Sequence, residues 1–208
     1  VKTLDDFAPG AAPTRRRAKA KPEWRPPTLA DLFVCRVLAF DPSLSSTGFV
    51  DMEFTGTELF VHHGETFTGQ IQPSLTGWAK DFHAAEDLRR QFYDRLSRYQ
   101  GVDVSVVHEA PPLGGGKLAS PESAIQASLM LRVAAHDLGM AVLPMVRTQD
   151  HKRLTVNQAN AKKQDYHRLL KPLLEELSPG CLSIITNEHQ RDAAGVGLAV
   201  MLRGRVDR

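Results

Sequence analysis

The sequence predicts an α/β domain, a mixed sheet with helices on both faces. Three observations carry that expectation. A short, mainly apolar run over 33–40 is followed by two more strand-like runs; apolar residues then recur at steps of three and four over 78–99; beyond them strand-like and helical segments alternate as far as 203.

The run over 33–40 (FVCRVLAF) is rich in β-branched and aromatic residues, as expected of a central strand buried on both faces, and it ends at Asp41. Residues 47–54 and 58–66, joined through Gly56, read as two more strands of an antiparallel meander whose far end is marked by Gly64 and Gly69. Trp78, Phe82, Ala85, Leu88, Phe92, Leu96 and Tyr99 then form the apolar stripe of an amphipathic helix. A strand over 102–108 delivers Glu109 at its carboxyl end, before Pro111-Pro112 and Gly114-Gly115-Gly116 break regular structure. Ser120-Pro121 reads as the N-cap and first position of a helix that stops at Gly139. A strand over 140–146, a polar loop over 148–161, a helix over 162–177, a Pro179-Gly180 turn and a helix capped by Asn187 complete the chain.

The chain has 208 residues, of which 42% are hydrophobic and 24% charged, enough for one domain with a sizeable core. Its longest apolar run, 195–202, is far short of the roughly 20 residues of a membrane span, and residues 1–32 lack the apolar stretch of a signal peptide. A soluble, cytoplasmic protein without a membrane partner is expected. Two cysteines, Cys35 and Cys181, form no CxxC pair, so neither a zinc ribbon nor a disulfide framework is expected. Residues 1–33 hold seven basic against four acidic residues, including Arg15-Arg16-Arg17; 1–32 therefore reads as a flexible basic arm and 33–208 as the domain.

Three acids stand where structure changes type. Asp41 and Glu109 end strands, and Asp192 lies in the first turns of the last helix, with His189 one turn before it on the same face. Ligand sites in α/β sheets form beyond the carboxyl ends of strands, so these side chains can converge. Convergent carboxylates demand a cation, and oxygen ligands without thiolates select Mg²⁺ or Mn²⁺. Singly, each acid also suits a turn, a solvated strand end or a helix start; the combination points to chemistry.

Residues 41–49 (DPSLSSTGF) resemble the opening strand-turn-strand of RuvC-type Holliday junction resolvases, whose pattern is Asp-Pro-Gly, three residues, then Thr-Gly-aromatic. Residues 106–109 (VVHE) look like that family's acidic strand end. Residues 189–199 (HQRDAAGVGLA) are similar to its C-terminal helix, and 155–162 (TVNQANAK) to its Thr-Gly-Asn-Gly loop without either glycine. Ser43 also replaces a glycine, and the loop after Glu109 carries Leu113 where the family often has an aromatic residue.

The resemblance covers about residues 34–203. It implies a ribonuclease H-like fold, with three antiparallel strands followed by parallel ones, a homodimer through the helix over 121–138, and cleavage of four-way or other branched DNA. Asp41, Glu109, His189 and Asp192 would hold two Mg²⁺ or Mn²⁺ ions per site and catalyse phosphodiester hydrolysis without a nucleotide cofactor. Lys117, Lys152, Arg153, Lys162 and Lys163 are candidate phosphate contacts. Three alternatives remain: a non-cleaving junction binder, a nuclease acting on RNA–DNA hybrids, and a fragment of an ATPase of the actin type, which would need two duplicated lobes.

Overall fold

A computed structural model describes residues 24–111 and 121–203. Five strands, β1 (Cys35–Asp41), β2 (Thr47–Phe54), β3 (Leu59–Phe67), β4 (Ser105–His108) and β5 (Ala141–Val142), form one sheet in the order β3-β2-β1-β4-β5. The first three pair antiparallel, while β4 and β5 run parallel to β1. Helices α1 (Gly77–Leu96) and α2 (Pro121–Asp137) cover one face; α3 (Thr148–Val156), α4 (Lys163–Leu177) and α5 (Glu188–Arg203) cover the other. Among the described residues no helix is long and apolar enough to cross a membrane.

Side-chain alternation sorts β1 between two cores. Leu38 and Phe40 pack with Leu88, Phe92 and Leu131 on the α1–α2 side, whereas Val37 and Ala39 pack with Val196 and Leu198 of α5. Small residues let α5 lie close to the sheet: a Cβ at Gly197 would stand 2.8 Å from Met52 Sδ and 3.2 Å from the Ala39 Cβ.

Several sequence expectations need correction. Residues 148–156 form α3 rather than a loop; its buried residues are His151, Thr155 and Val156, a largely polar face that leaves little hydrophobic periodicity to read. Its end does carry a sequence signal, Asn157, which adopts the left-handed conformation (φ 58°) that Asn tolerates after a helix. Gly64 lies inside β3, where a Cβ would come within 2.8 Å of the Ile184 carbonyl oxygen; it marks a close approach and not a strand end. The strand over 140–146 is cut to Ala141–Val142 because Pro144 offers no N–H, although Val146 still bridges to Glu109. Residues 102–104 precede β4, and Trp78 and Phe82 of the α1 stripe are exposed.

Residues 24–32, the described part of the expected arm, pack onto the domain. Leu29 and Leu32 touch the α5-side core, Arg25 pairs with Asp31 at 2.8 Å, and the Phe33 N–H donates to the Met201 carbonyl at 2.8 Å. The Arg15-Arg16-Arg17 run, the triple glycine and Ser120 lie outside the described residues.

On the face away from α5, the buried Asp51 accepts from Arg36 Nε at 3.0 Å, from Arg36 Nη2 at 2.7 Å and from the Tyr99 hydroxyl at 3.0 Å. A buried carboxylate is tolerable when its oxygens are met in this way. Tyr99→Phe removes one donor and is expected to lower stability by about 1–2 kcal/mol, read as a thermal shift of about 2–6 °C.

Candidate active site

Asp41 belongs to the same side-chain set of β1 as Val37 and Ala39, and Glu109 to that of Val107, so both acids are directed toward the α5 side of the sheet. They also stand level. Phe40 pairs with His108 in the parallel β1–β4 register, and the Glu109 N–H donates to the Phe40 carbonyl at 3.0 Å. The two carboxylates thus leave adjacent parallel strands side by side.

The third acid is brought in by Gly48. This residue is the register partner of Asp41, and a Cβ on it would collide with the backbone carbonyl of His189. The first turn of α5 is therefore seated directly on β2. Asn187 and Gln190 add side-chain hydrogen bonds to Thr66 at 2.8 Å and 3.3 Å, and Asn187 caps the helix by accepting the Gln190 N–H at 3.0 Å. The turn after β1 closes through Thr47, whose hydroxyl donates to the Ser43 carbonyl at 2.7 Å and accepts the Ser43 N–H at 3.0 Å. Ser43 has no positive φ, so this turn needs no glycine there.

Asp41, Glu109 and Asp192 line one cleft of about 370 Å³, together with Thr148, His151, Lys152 and Lys163. His189 lies beside it, with Nδ1 3.6 Å from Asp41 Oδ2 and Nε2 3.8 Å from Glu188 Oε1. Lys162 is exposed at the start of α4, and Arg153 is paired with Asp150 at 3.0 Å. Lys117 lies outside the described residues.

Burial, together with the charges of Glu109 and Asp192, pushes the Asp41 carboxyl up to about 6 against the opposing pull of His189. Burial would likewise raise Asp192, but His167 and Lys163 outweigh it and hold that carboxyl below its ordinary value. His167 Nε2 is 2.7 Å from Oδ1 and Lys163 Nζ is 3.1 Å from Oδ2. Glu109 Oε1 accepts from the Thr148 hydroxyl. His151, Thr148 and His167 escaped sequence reasoning; the first two sit on the helix read as loop, and a buried histidine has no sequence signature of its own.

The donor set suits a hard divalent cation, because positive charge relieves a carboxyl that burial, and after it the charges of Glu109 and Asp192, have raised. Among the described residues no three of His, Cys, Asp and Glu stand close enough together to hold one ion between them. Both oxygens of Asp192 are engaged by His167 and Lys163, and a cation would have to compete with that lysine.

Strand order, mixed pairing and helices on both faces define a ribonuclease H-like fold. Within that class the chain takes up the fold of the RuvC structures. It matches the Thermus thermophilus RuvC structure with a TM-score of 0.62 and 16% identity, covering 83% of this chain and 96% of that one. T. thermophilus RuvC in complex with Holliday junction substrate gives a TM-score of 0.60 at 19% identity, with the same coverage of each chain. The yeast mitochondrial Holliday junction resolvase Ydc2 gives 0.55 at 13% identity, covering 86% of each chain. At such identities the likeness is one of fold. No protein-family model and no curated protein matches the sequence.

Proposed function

We propose that the protein is a metal-dependent endonuclease that cleaves four-way or other branched DNA. One observation carries the reading: carboxylates from the end of β1, from just past β4 and from α5 line a single cleft at the carboxyl ends of parallel strands. A fold shared with junction resolvases supports the choice of substrate, as an analogy.

Asp41, Glu109 and Asp192 would hold two Mg²⁺ or Mn²⁺ ions, with His189 as a further ligand or as the group that orients the attacking water. Bound ions of this kind activate water and stabilise the entering and leaving oxygens of a phosphodiester. The chain's own groups do the rest. His167 keeps Asp192 ionised and fixed, and Lys152 and Lys163, on the wall of the cleft, position a phosphate without reading bases. Lys162 and Arg153 would extend that track.

Symmetric cleavage of a junction needs two sites related by a two-fold axis, hence a homodimer. On α2, Ile125 and Leu129 are exposed one turn apart, an apolar face suited to a second copy.

The ion pair between Lys163 and Asp192 favours a second reading, a junction-binding protein whose cleft carries an internal lysine as counterion. Labelled four-way junction, duplex and RNA–DNA hybrid, each incubated with and without Mg²⁺, separate the two. The nuclease cuts the junction only with Mg²⁺. Junction that is bound yet intact at all Mg²⁺ concentrations sinks the nuclease reading, and preferential cutting of the hybrid reassigns the substrate.

A further inference from the structure

We propose that His151, aimed by the Tyr166 hydroxyl, is the positioning residue of Glu109; the proposal deepens the nuclease reading and rests on it. His151 is only 1% exposed, its Nε2 has no hydrogen-bond partner, and that nitrogen lies 3.7 Å from Glu109 Oε1. A buried ring nitrogen without a partner is a standing desolvation cost, so an arrangement that retains one needs a reason. The carboxylate facing it supplies that reason.

The other side of the ring is tightly held. Nδ1 is 3.0 Å from the Tyr166 hydroxyl, and the Thr155 hydroxyl donates to the His151 carbonyl at 2.7 Å. Tyr166 is fully buried, and a Cβ at Gly195 would collide with its hydroxyl, so α5 leaves room for that oxygen only because residue 195 is glycine. Burial keeps the phenol protonated by raising its pKa, and it can therefore donate to Nδ1. With Nδ1 accepting, the ring N–H of His151 is on Nε2 and points at Glu109. The opposite tautomer would set a lone pair against a carboxylate oxygen.

One turn earlier on α3, Thr148 donates to the same oxygen, Oε1. Both contacts address one oxygen of Glu109, and among the described residues neither engages Oε2. The carboxylate is thus oriented from behind while its second oxygen remains available to a cation. His167 likewise holds one oxygen of Asp192, whose other oxygen is paired with Lys163, so α3 and α4 together form a backing layer for two acids.

The test uses His151→Leu, His151→Gln and Tyr166→Phe in the full chain, each checked for wild-type thermal unfolding. The first readout is the imidazole tautomer from long-range ¹H–¹⁵N spectra of the metal-free protein. An Nε2–H form is expected for His151; an Nδ1–H form overturns the proposal. The second is Mn²⁺ affinity by electron paramagnetic resonance without DNA, where His151→Leu should weaken binding about tenfold and His151→Gln, whose amide can still donate to Oε1, should restore most of it. Undiminished Mn²⁺ affinity in a folded His151→Leu overturns the proposal. Should that variant fail to fold, Tyr166→Phe removes only the hydroxyl, and an unchanged tautomer with unchanged Mn²⁺ affinity is equally fatal.

The third readout is junction cleavage, in which kcat should fall with KM unchanged. A wild-type protein that binds Mn²⁺ through Glu109, as judged by loss in Glu109→Gln, yet cuts nothing refutes the nuclease reading and leaves the role of His151 intact.

Discussion

Asp41→Asn should abolish cleavage and at the same time stabilise the metal-free protein. On the proposed nuclease reading the cleavage rate is expected to fall about 1000-fold or more, because an amide gives up the charge with which Asp41 would hold a divalent cation, a loss of several kcal/mol in the transition state. Junction binding, measured by gel shift in Ca²⁺, should persist. The stability effect has the opposite sign. The folded chain keeps the Asp41 proton up to about pH 6, whereas an unfolded aspartate releases it near 3.8. Between those values the folded state binds more protons than the unfolded one, so stability is lost as pH rises through that window and stays lost above it. Asparagine carries no such penalty. Without metal the variant should melt about 3–6 °C above wild type at pH 7.5 and level with it at pH 4, while added Mg²⁺ should raise the wild-type Tm more at pH 7.5 than at pH 5. A variant that cuts junctions at the wild-type rate removes Asp41 from the chemistry. One that melts at the wild-type temperature at both pH values shows that the cleft does not strain its carboxylates.

How far the sequence exposed this arrangement depends on whether a residue's role follows a period. The strands at 35–41 and 47–54 were legible because buried β-branched and aromatic residues pack on both sides of a sheet, and the helix over 188–203 because Asn187 and the small residues after Asp192 are local signals. Asp41, Glu109 and Asp192 stood out because each sits at an element's end, the one place where a period says nothing about a side chain and chemistry can claim it. The backing layer was hidden for the converse reason. His151 and Thr155 face inward on α3 as a polar pair, which reads as surface, and the ring of His151 faces Glu109 and Tyr166, which no local pattern links to it. Gly48 was visible as part of a motif, but its reason was not: the close approach of α5 exists only in three dimensions.

Among the glycines of the described residues, Gly48→Ala should therefore be the most damaging. Its methyl group would meet a backbone carbonyl, that of His189, and no rotamer change can move a carbonyl out of the way. Either β2 shifts away from β1, breaking the register in which Gly48 opposes Asp41, or the first turn of α5 lifts off the sheet. Lifting is the easier course, since β2 is hydrogen-bonded to neighbours on both sides, whereas the start of α5 is tied down by side-chain bonds, those of Asn187 and Gln190 to Thr66 and of Asp192 to His167 and Lys163. The expected cost is about 3 kcal/mol, read as a Tm lower by about 6–12 °C. Because His189 and Asp192 ride on that turn, a displacement of about 1 Å would spoil their alignment with Asp41 and slow cleavage about 100-fold even where the variant is fully folded. Alanine at Gly197 would instead press on the movable Met52 thioether and the Ala39 methyl group, and should cost stability with a smaller loss of rate. If Gly48→Ala keeps both its Tm and its cleavage rate, α5 is not seated on β2, and the convergence of its acid with Asp41 and Glu109 loses its physical cause.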